Sequence, residues 1–114
     1  MLEFKFIIPY NSGFSDNKKY VGYRSKILAQ TYRAGLDEII FKTWKLRGML
    51  KKRKIYIEII AFRPHMRGDI ANFIKLICDG IKKGCGIDDN YYCGSWDYEI
   101  DKTNPRIDIT IKQG

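Results

Sequence analysis

The chain has 114 residues, the size of a single domain, and we expect residues 1–114 to fold as one unit. Hydrophobic residues make up 45% and charged residues 30%, which is typical of a globular protein rather than a disordered one. No apolar run approaches the ~20 residues that a membrane helix needs. The charged start of the chain does not have the layout of a signal peptide, so we expect a cytoplasmic protein with no membrane partner.

The charges are divided unevenly along the chain. The net charge is +8, but residues 1–68 carry 15 basic and 5 acidic side chains, whereas residues 69–114 carry 6 basic and 8 acidic ones. Surface lysines that aid solubility are one explanation. The alternative is a polyanion that the basic part holds and that carboxylates of the acidic part process.

The cysteines and the single histidine exclude several site types. Cys78, Cys85 and Cys93 have the spacing of neither a disulfide framework nor a zinc site, and we interpret them as reduced thiols in or near the core. His65 has no companion residues for a zinc site or a catalytic triad. No Gly-rich phosphate loop of the Walker type is present, so we expect no nucleotide cofactor.

Alternating apolar residues predict strands, and apolar residues at helical spacing predict helices. The predicted order is β-α-β-α-β-β, an α+β domain with one mixed sheet and helices packed on it. The predicted elements are a strand at 3–8 closed by Pro9, a helix from about 23 to 44 with Gly48 as its end signal, a central strand at 55–62, a helix from about 69 to 83 that stops at Gly84, and strands at 92–100 and 106–112.

The second predicted helix carries a polar face opposite its apolar stripe of Ile74, Ile77, Cys78 and Ile81. On that face Asn72, Lys75 and Asp79 form a polar row, which an ordinary solvated face with a Lys75–Asp79 i,i+4 pair would explain.

A second interpretation joins this helix to the carboxylates around it. Asp69 precedes the helix, where it also suits a helix cap, and Asp88-Asp89 follow soon after the helix ends. Phosphodiester hydrolysis uses such a set, because carboxylates from separate elements hold Mg²⁺ and a lysine neutralises charge on the phosphate.

The run from Asp69 to Asp89 resembles the RusA family of Holliday junction resolvases. That family's pattern is Asp-x-Asp-Asn-x-x-Lys-x-x-x-Asp, followed by a short turn that carries Asp-Asp. The resemblance implies a Mg²⁺-dependent homodimer, with Mn²⁺ as a substitute, that nicks opposed strands of a four-way DNA junction. It also implies a bacterial or phage-infected host cell, since many members are encoded by phages.

The resemblance implies a role for individual residues. Asp69 matches the first metal-binding aspartate, and Lys75 matches the catalytic lysine. Asp89 matches the later catalytic and metal-binding aspartate, with Asp88 as the less certain alternative. Ala71 occupies the position of the family's second aspartate, which this chain lacks.

The change at Ala71 removes a negative charge and an oxygen ligand. We therefore expect cleavage to be weak or absent and DNA binding to survive. A deliberately disabled variant and a natural degenerate member are both compatible with this sequence.

Two basic regions are candidate DNA-binding surfaces: the 18–33 segment and the 42–54 segment. The candidate residues for phosphate contact are Lys51, Lys52, Arg53 and Lys54, together with Arg63 and Arg67 in a predicted loop before Asp69. Tyr91, Tyr92, Trp96 and Tyr98 suit either base stacking or the core. The alternative functions are a non-catalytic nucleic-acid-binding module and a nuclease with another substrate.

Overall fold

A computed structural model describes residues 1–11, 14, 30–66 and 71–114. The described strands are β1 (Leu2–Pro9), β2 (Ile55–Arg63), β3 (Tyr92–Ile100) and β4 (Arg106–Gln113), and the described helices are α1 (Gln30–Thr43) and α2 (Ala71–Cys85). Short 3₁₀ turns at Trp44–Leu46 and Asp89–Tyr91 complete the described elements. The predicted β-α-β-α-β-β order is confirmed.

The four strands form one mixed sheet in the order β1-β4-β2-β3. β4 pairs antiparallel with both β1 and β2, so that Ile109 lies opposite Phe6 on one side and Ile59 on the other. β2 and β3 are parallel, with Ile55 opposite Tyr92, and α2 connects them. The mixed sheet with two helices confirms the α+β fold class.

The helices cover one face of this sheet. Alternate residues of the two middle strands, β2 and β4, are buried on that face and form the core together with apolar residues of α1 and α2. The buried strand residues are Ile55, Ile57, Ile59, Ala61, Ile107, Ile109 and Ile111. On the other face Tyr56 and Ile60 are exposed. The central position predicted for β2 is therefore correct, although its second apolar face is not part of this core.

The end of α1 differs from the prediction. The α-helix ends at Thr43, and a 3₁₀ turn follows before Gly48, which adopts a φ of +79°. The Thr43 hydroxyl donates to the Ile39 carbonyl at 2.7 Å, a local bond that competes with regular helix geometry. The predicted start near residue 23 lies outside the described residues.

The end of α2 also differs. Gly84 does not stop the helix, which continues to Cys85, and Gly86 with a φ of +80° follows it. Gly84 is instead a packing residue, because a Cβ there would lie 1.7 Å from the Thr43 hydroxyl oxygen. The same role falls to Gly80, where a Cβ would lie 2.6 Å from Ile39. The two glycines bring α1 and α2 close together.

The buried stripe of α2 is rotated slightly from the predicted one. Leu76, which the predicted stripe leaves out, is fully buried, whereas Ile74 and Cys78 are only partly buried. The stripe turns toward α1 because the helix packs on that neighbour as well as on the sheet. The partly buried edge therefore lies next to β3, where the candidate site begins. No described helix is both long and apolar enough to cross a membrane.

Candidate active site

The polar face of α2 contains the expected pair of charges. The Lys75 Nζ lies 3.9 Å from the Asp79 Oδ2, one helical turn away. Lys75 is exposed and Asp79 is half-buried. An exposed pair of this kind contributes only about 0.3–0.5 kcal/mol to stability. The Lys75 ammonium group can therefore leave Asp79 for a phosphate at little cost.

The acidic pair Asp88-Asp89 is built into the turn that follows α2. Asp88 caps this turn by accepting a hydrogen bond from the Asn90 backbone N–H at 3.0 Å, and its carboxylate lies 3.8 Å from the Lys82 ammonium group. The pKa of Asp88 is lowered, chiefly by the hydrogen bond from the Asn90 N–H. The hydrogen bond with the Asp89 carboxyl group and the charge of Lys82 lower it further. Asp88 is thus already engaged in holding the turn.

Asp89 lies within electrostatic reach of the α2 face that carries Lys75. Burial, and then the negative charges of Asp89 and Asp79, raise the pKa of the Cys78 thiol to about 11. Cys78 precedes the last residue of α2 by two helical turns. The turn after Gly86 also contacts α2, and Asp88 lies 3.8 Å from Lys82, so the chain folds back against the helix and places Asp89 beside it.

The rest of the expected metal site is not described in full. Asp69 and Arg67 lie outside the described residues, and Ala71 is the first residue of α2. Ala71 precedes Cys78 by seven residues, about 10 Å along a helix axis. Within 1–11, 14, 30–66 and 71–114, no three Asp, Glu, His or Cys side chains form a group that could hold a metal ion.

The basic loop, residues Lys51 to Lys54, is exposed at all four side chains. The buried Gln113 amide holds its backbone: Gln113 Oε1 accepts from the Lys51 N–H at 2.8 Å, and Gln113 Nε2 donates to the Lys51 carbonyl at 2.8 Å. The Arg53 guanidinium group donates to the Gly114 carbonyl. This loop has a backbone held by Gln113 and exposed cationic side chains, which suits phosphate contact.

The basic loop and the acidic pair lie at the same end of the sheet. The loop leads directly into Ile55 of β2, and the turn that contains Asp89 leads directly into Tyr92 of β3. Ile55 and Tyr92 are register partners in the parallel pair. A polyanion that contacts the loop can therefore continue across the beginning of β3 toward Asp89.

Arg63 is the residue whose predicted placement is wrong. Arg63 is the last residue of β2 and does not lie in a loop, because the strand extends one residue beyond its predicted end at residue 62. Its side chain is only 3% exposed, and the guanidinium carbon lies 5.4 Å from the centroid of the Tyr98 ring. A buried guanidinium group has little reach to a phosphate, and the contact of Arg63 with DNA stays a prediction.

Two contacts were missed by the sequence analysis. Lys82 pairs with Asp88, and Gln113 holds the basic loop; both contacts join residues whose proximity no local pattern encodes. Of the two placements considered for the aromatic residues, the core is wrong for Trp96 and Tyr98, which are 50% and 38% exposed on β3.

Comparison with known families identifies the family of this chain. The model of the endodeoxyribonuclease RusA family matches residues 10–112, nearly the whole chain. The chain belongs to the RusA family of endodeoxyribonucleases. Members of this family resolve Holliday junctions, and a divalent metal ion is needed for their activity.

Other comparisons add only a likeness of fold. No curated protein matches the RusA-family chain. The periplasmic domain of MotB from Helicobacter pylori has a similar crystal structure, with a TM-score of 0.50 and 15% sequence identity, over 97% of this chain and 79% of that one. At this identity the two proteins share an arrangement of helices and strands, and nothing about activity follows.

Proposed function

We propose that this RusA-family protein binds four-way DNA junctions as a homodimer and carries a Mg²⁺ site for phosphodiester hydrolysis, with cleavage weak or absent because of Ala71. The observation that supports the site best is the contact between α2 and the turn that carries Asp88 and Asp89, in which Asp88 lies 3.8 Å from Lys82, on the same helix face as Lys75 and Asp79. A carboxylate and a lysine from different elements thereby share one surface. DNA is the family's substrate, so we place the protein in the cytoplasm of a bacterial or phage-infected cell.

The donor set suits a hard divalent cation. Asp69 and Asp89 are the proposed ligands of Mg²⁺, for which Mn²⁺ can substitute, because both supply carboxylate oxygens. Asp88 is the alternative ligand, and its carboxylate would first have to leave Asn90 and Lys82. When bound, the cation polarises the phosphate and makes a coordinated water more acidic.

Lys75 is the side chain that we propose to act directly on the phosphate. Its exposed ammonium group is within reach of a phosphate that lies across the face of α2, and it neutralises negative charge on the scissile phosphate or the leaving oxygen. Asp79, 3.9 Å away, keeps the ammonium group directed along that face before DNA binds. We assign Asp79 an orienting role.

Ala71 decides the level of activity in this proposal. A methyl group in place of a carboxylate removes one oxygen ligand and about one negative charge from the metal site. The cation is then held more weakly, while phosphate meets less repulsion. We expect junction binding to be retained without efficient cleavage.

The deciding experiment restores the missing carboxylate. Ala71→Asp should cleave a four-way junction in Mg²⁺, and Ala71→Asp with Asp89→Asn should lose that gain while both proteins bind the junction. Ala71→Asn is the matched control, because it adds a polar side chain without the charge. If Ala71→Asp binds junctions but is as inert as the parent chain, the ligand assignment is wrong.

A metal titration separates this proposal from a non-catalytic nucleic-acid-binding module. With Ala71→Asp, Mn²⁺ should bind in a calorimetric titration, and Asp89→Asn should weaken that binding. A plain binding module would show no such saturable site. Competition among four-way junction, duplex and RNA tests the third possibility, a nuclease with another substrate.

The basic loop is the proposed grip on the DNA backbone. Each phosphate contact that is lost should reduce the slope of log K against log salt by about 0.9. Replacing Lys52 and Lys54 with Gln should therefore lower the slope by up to about 2 and weaken junction and duplex binding alike. Lys102→Gln, on the acidic half, serves as the control.

The proposed homodimer follows from the symmetry of the substrate. A four-way junction presents two equivalent strands, and a two-fold protein presents two equivalent sites. Light scattering should give twice the mass of the chain for the free protein, and the mass of two chains plus one junction for the complex. A monomer that binds each junction with one-to-one stoichiometry would contradict this part of the proposal.

A further inference from the structure

A small pocket lies between α2 and the parallel pair β2 and β3, and the reaction proposed above makes no use of it. Its volume is about 180 Å³, and its walls include Ile74 and Cys78 of α2 and Tyr92, Gly94 and Trp96 of β3. Pockets for drug-sized ligands occupy about 300–1,000 Å³, so this one has room for a single ring system.

The pocket opens beside the candidate catalytic side chains. Ile74 and Cys78 flank Lys75 on α2, and the charges of Asp89 and Asp79 both act on the Cys78 thiol. A DNA strand whose phosphate contacts Lys75 therefore places a neighbouring base within reach of the pocket. The pocket belongs to the same surface as the proposed metal site, but it has an apolar lining.

Gly94 leaves a gap between two aromatic side chains. Tyr92, Gly94 and Trp96 alternate along β3 and so share one face of the strand. Gly94 has a φ of +146°, and a Cβ there would lie 1.9 Å from the Ile57 carbonyl oxygen, so a larger residue does not fit. The result is a slot with an aromatic wall rather than a continuous row of side chains.

Trp96 is the unusual member of this wall. Half of the Trp96 surface is exposed, although tryptophan has the largest apolar area of any side chain. Trp96 lies on β3, which is an edge strand of the sheet. Stacking on a base is a sequence-tolerant way for such a ring to bind nucleic acid, because every base has a flat face. Enzymes that act on DNA read displaced bases in pockets of this kind.

We propose that this pocket binds one unstacked base of the junction, next to the phosphate at the candidate active site, and that Trp96 stacks on it. The inference rests on the proposed function, because it requires junction DNA across α2. It adds a base-binding subsite, with Trp96 as a specificity-determining residue. The tests use binding rather than cleavage, so Ala71 does not interfere.

The first test measures affinity for a four-way junction without Mg²⁺. Trp96→Ala should weaken junction binding about 5- to 150-fold, the range for losing one stacked base, and Trp96→Phe should restore most of it. Tyr98→Ala is the matched control, because Tyr98 lies on the same face of β3, is similarly exposed and does not line the pocket. An equal loss in both variants would overturn the assignment.

The second test needs no destabilising change. Trp44→Phe leaves Trp96 as the sole tryptophan, since the chain has two. Its emission should be quenched by the junction and less by duplex, and 2-aminopurine next to the cleavage position should respond in parallel. An unchanged Trp96 signal on a saturated junction overturns the pocket and leaves the proposed function intact. Absence of salt-dependent junction binding overturns both.

The third measurement tests whether Trp96 instead contacts a second copy of the chain. If Trp96→Ala changes the mass in light scattering from dimer to monomer, Trp96 is a contact between copies of the chain and the base-binding proposal fails. An unchanged mass together with the selective loss of junction affinity supports it.

Discussion

The contact between α1 and α2 provides the sharpest test of the packing. Replacing Gly84 with Ala near the end of α2 should gain up to about 1 kcal/mol from helix propensity. The new Cβ would, however, lie 1.7 Å from the Thr43 hydroxyl oxygen and 3.0 Å from the Ile40 carbonyl oxygen. The hydroxyl group is buried and bonded to the Ile39 carbonyl, so it cannot move without breaking that bond.

The opposing contributions give a net destabilisation. Overpacking costs about 1–3 kcal/mol, and loss of the Thr43 hydrogen bond costs about 1 kcal/mol. After the gain in propensity, we expect Gly84→Ala to lower the free energy of unfolding by about 1–3 kcal/mol, or the Tm by about 4–12 °C. Urea denaturation and calorimetry measure both values.

Two further variants make the comparison specific. Lys83→Ala, at an exposed neighbouring position, should change stability by less than about 0.5 kcal/mol. Thr43→Ala removes the oxygen that the new Cβ meets, so the double variant should be more stable than the sum of the single effects predicts. A Gly84→Ala protein as stable as its parent would refute the close approach of the helices.

Three other predictions concern the sheet and its connections. Gly94→Ala forces a side chain into the Ile57 backbone at 1.9 Å and should cost more than about 2 kcal/mol in urea denaturation, with Ser95→Ala as a neutral control. Gln113→Ala leaves the backbone of the basic loop without its partner; it should cost about 1–3 kcal/mol and speed amide hydrogen exchange at Lys51. Hydrogen bonds from the Thr103 hydroxyl and from the backbone N–H groups of Asn104 and Thr103 lower the pKa of Asp101 below its usual 3.8. The ionised Asp101 carboxylate therefore stabilises the fold above pH 3.8. This stabilisation is lost as the pH falls through the lower pKa of the folded state. Asp101→Asn should therefore lower the Tm at neutral pH, and the difference should shrink in strong acid; a constant difference would contradict this reasoning.

The sequence predicted the order of elements well because periodicity is a local property. The alternation in β2 and β4 and the acid, lysine and acid spacing around α2 were all readable without coordinates. The ends of the helices were less accurate, because a glycine near a helix end is consistent with either a stop or a packing contact. Gly84 is the packing case, and only the position of Thr43 on another helix reveals it.

The candidate site shows the same division. Lys75 and Asp79 were correctly paired, since both lie on one helix. The burial of Arg63 and the pairing of Lys82 with Asp88 depend on how far β2 extends and on how the chain turns after α2. Such contacts join distant residues or irregular backbone, for which a single sequence contains no periodic signal.

The position of β4 has a consequence for synthesis. This strand follows β1 and β2 in the chain, yet it lies between them and is the only described strand that joins them. Until the ribosome has added β4, β1 lacks its described partner in the sheet, and one edge of β2 is unpaired. The described sheet therefore closes only after β4 is made, through contacts between residues far apart in the chain, which are slow to form.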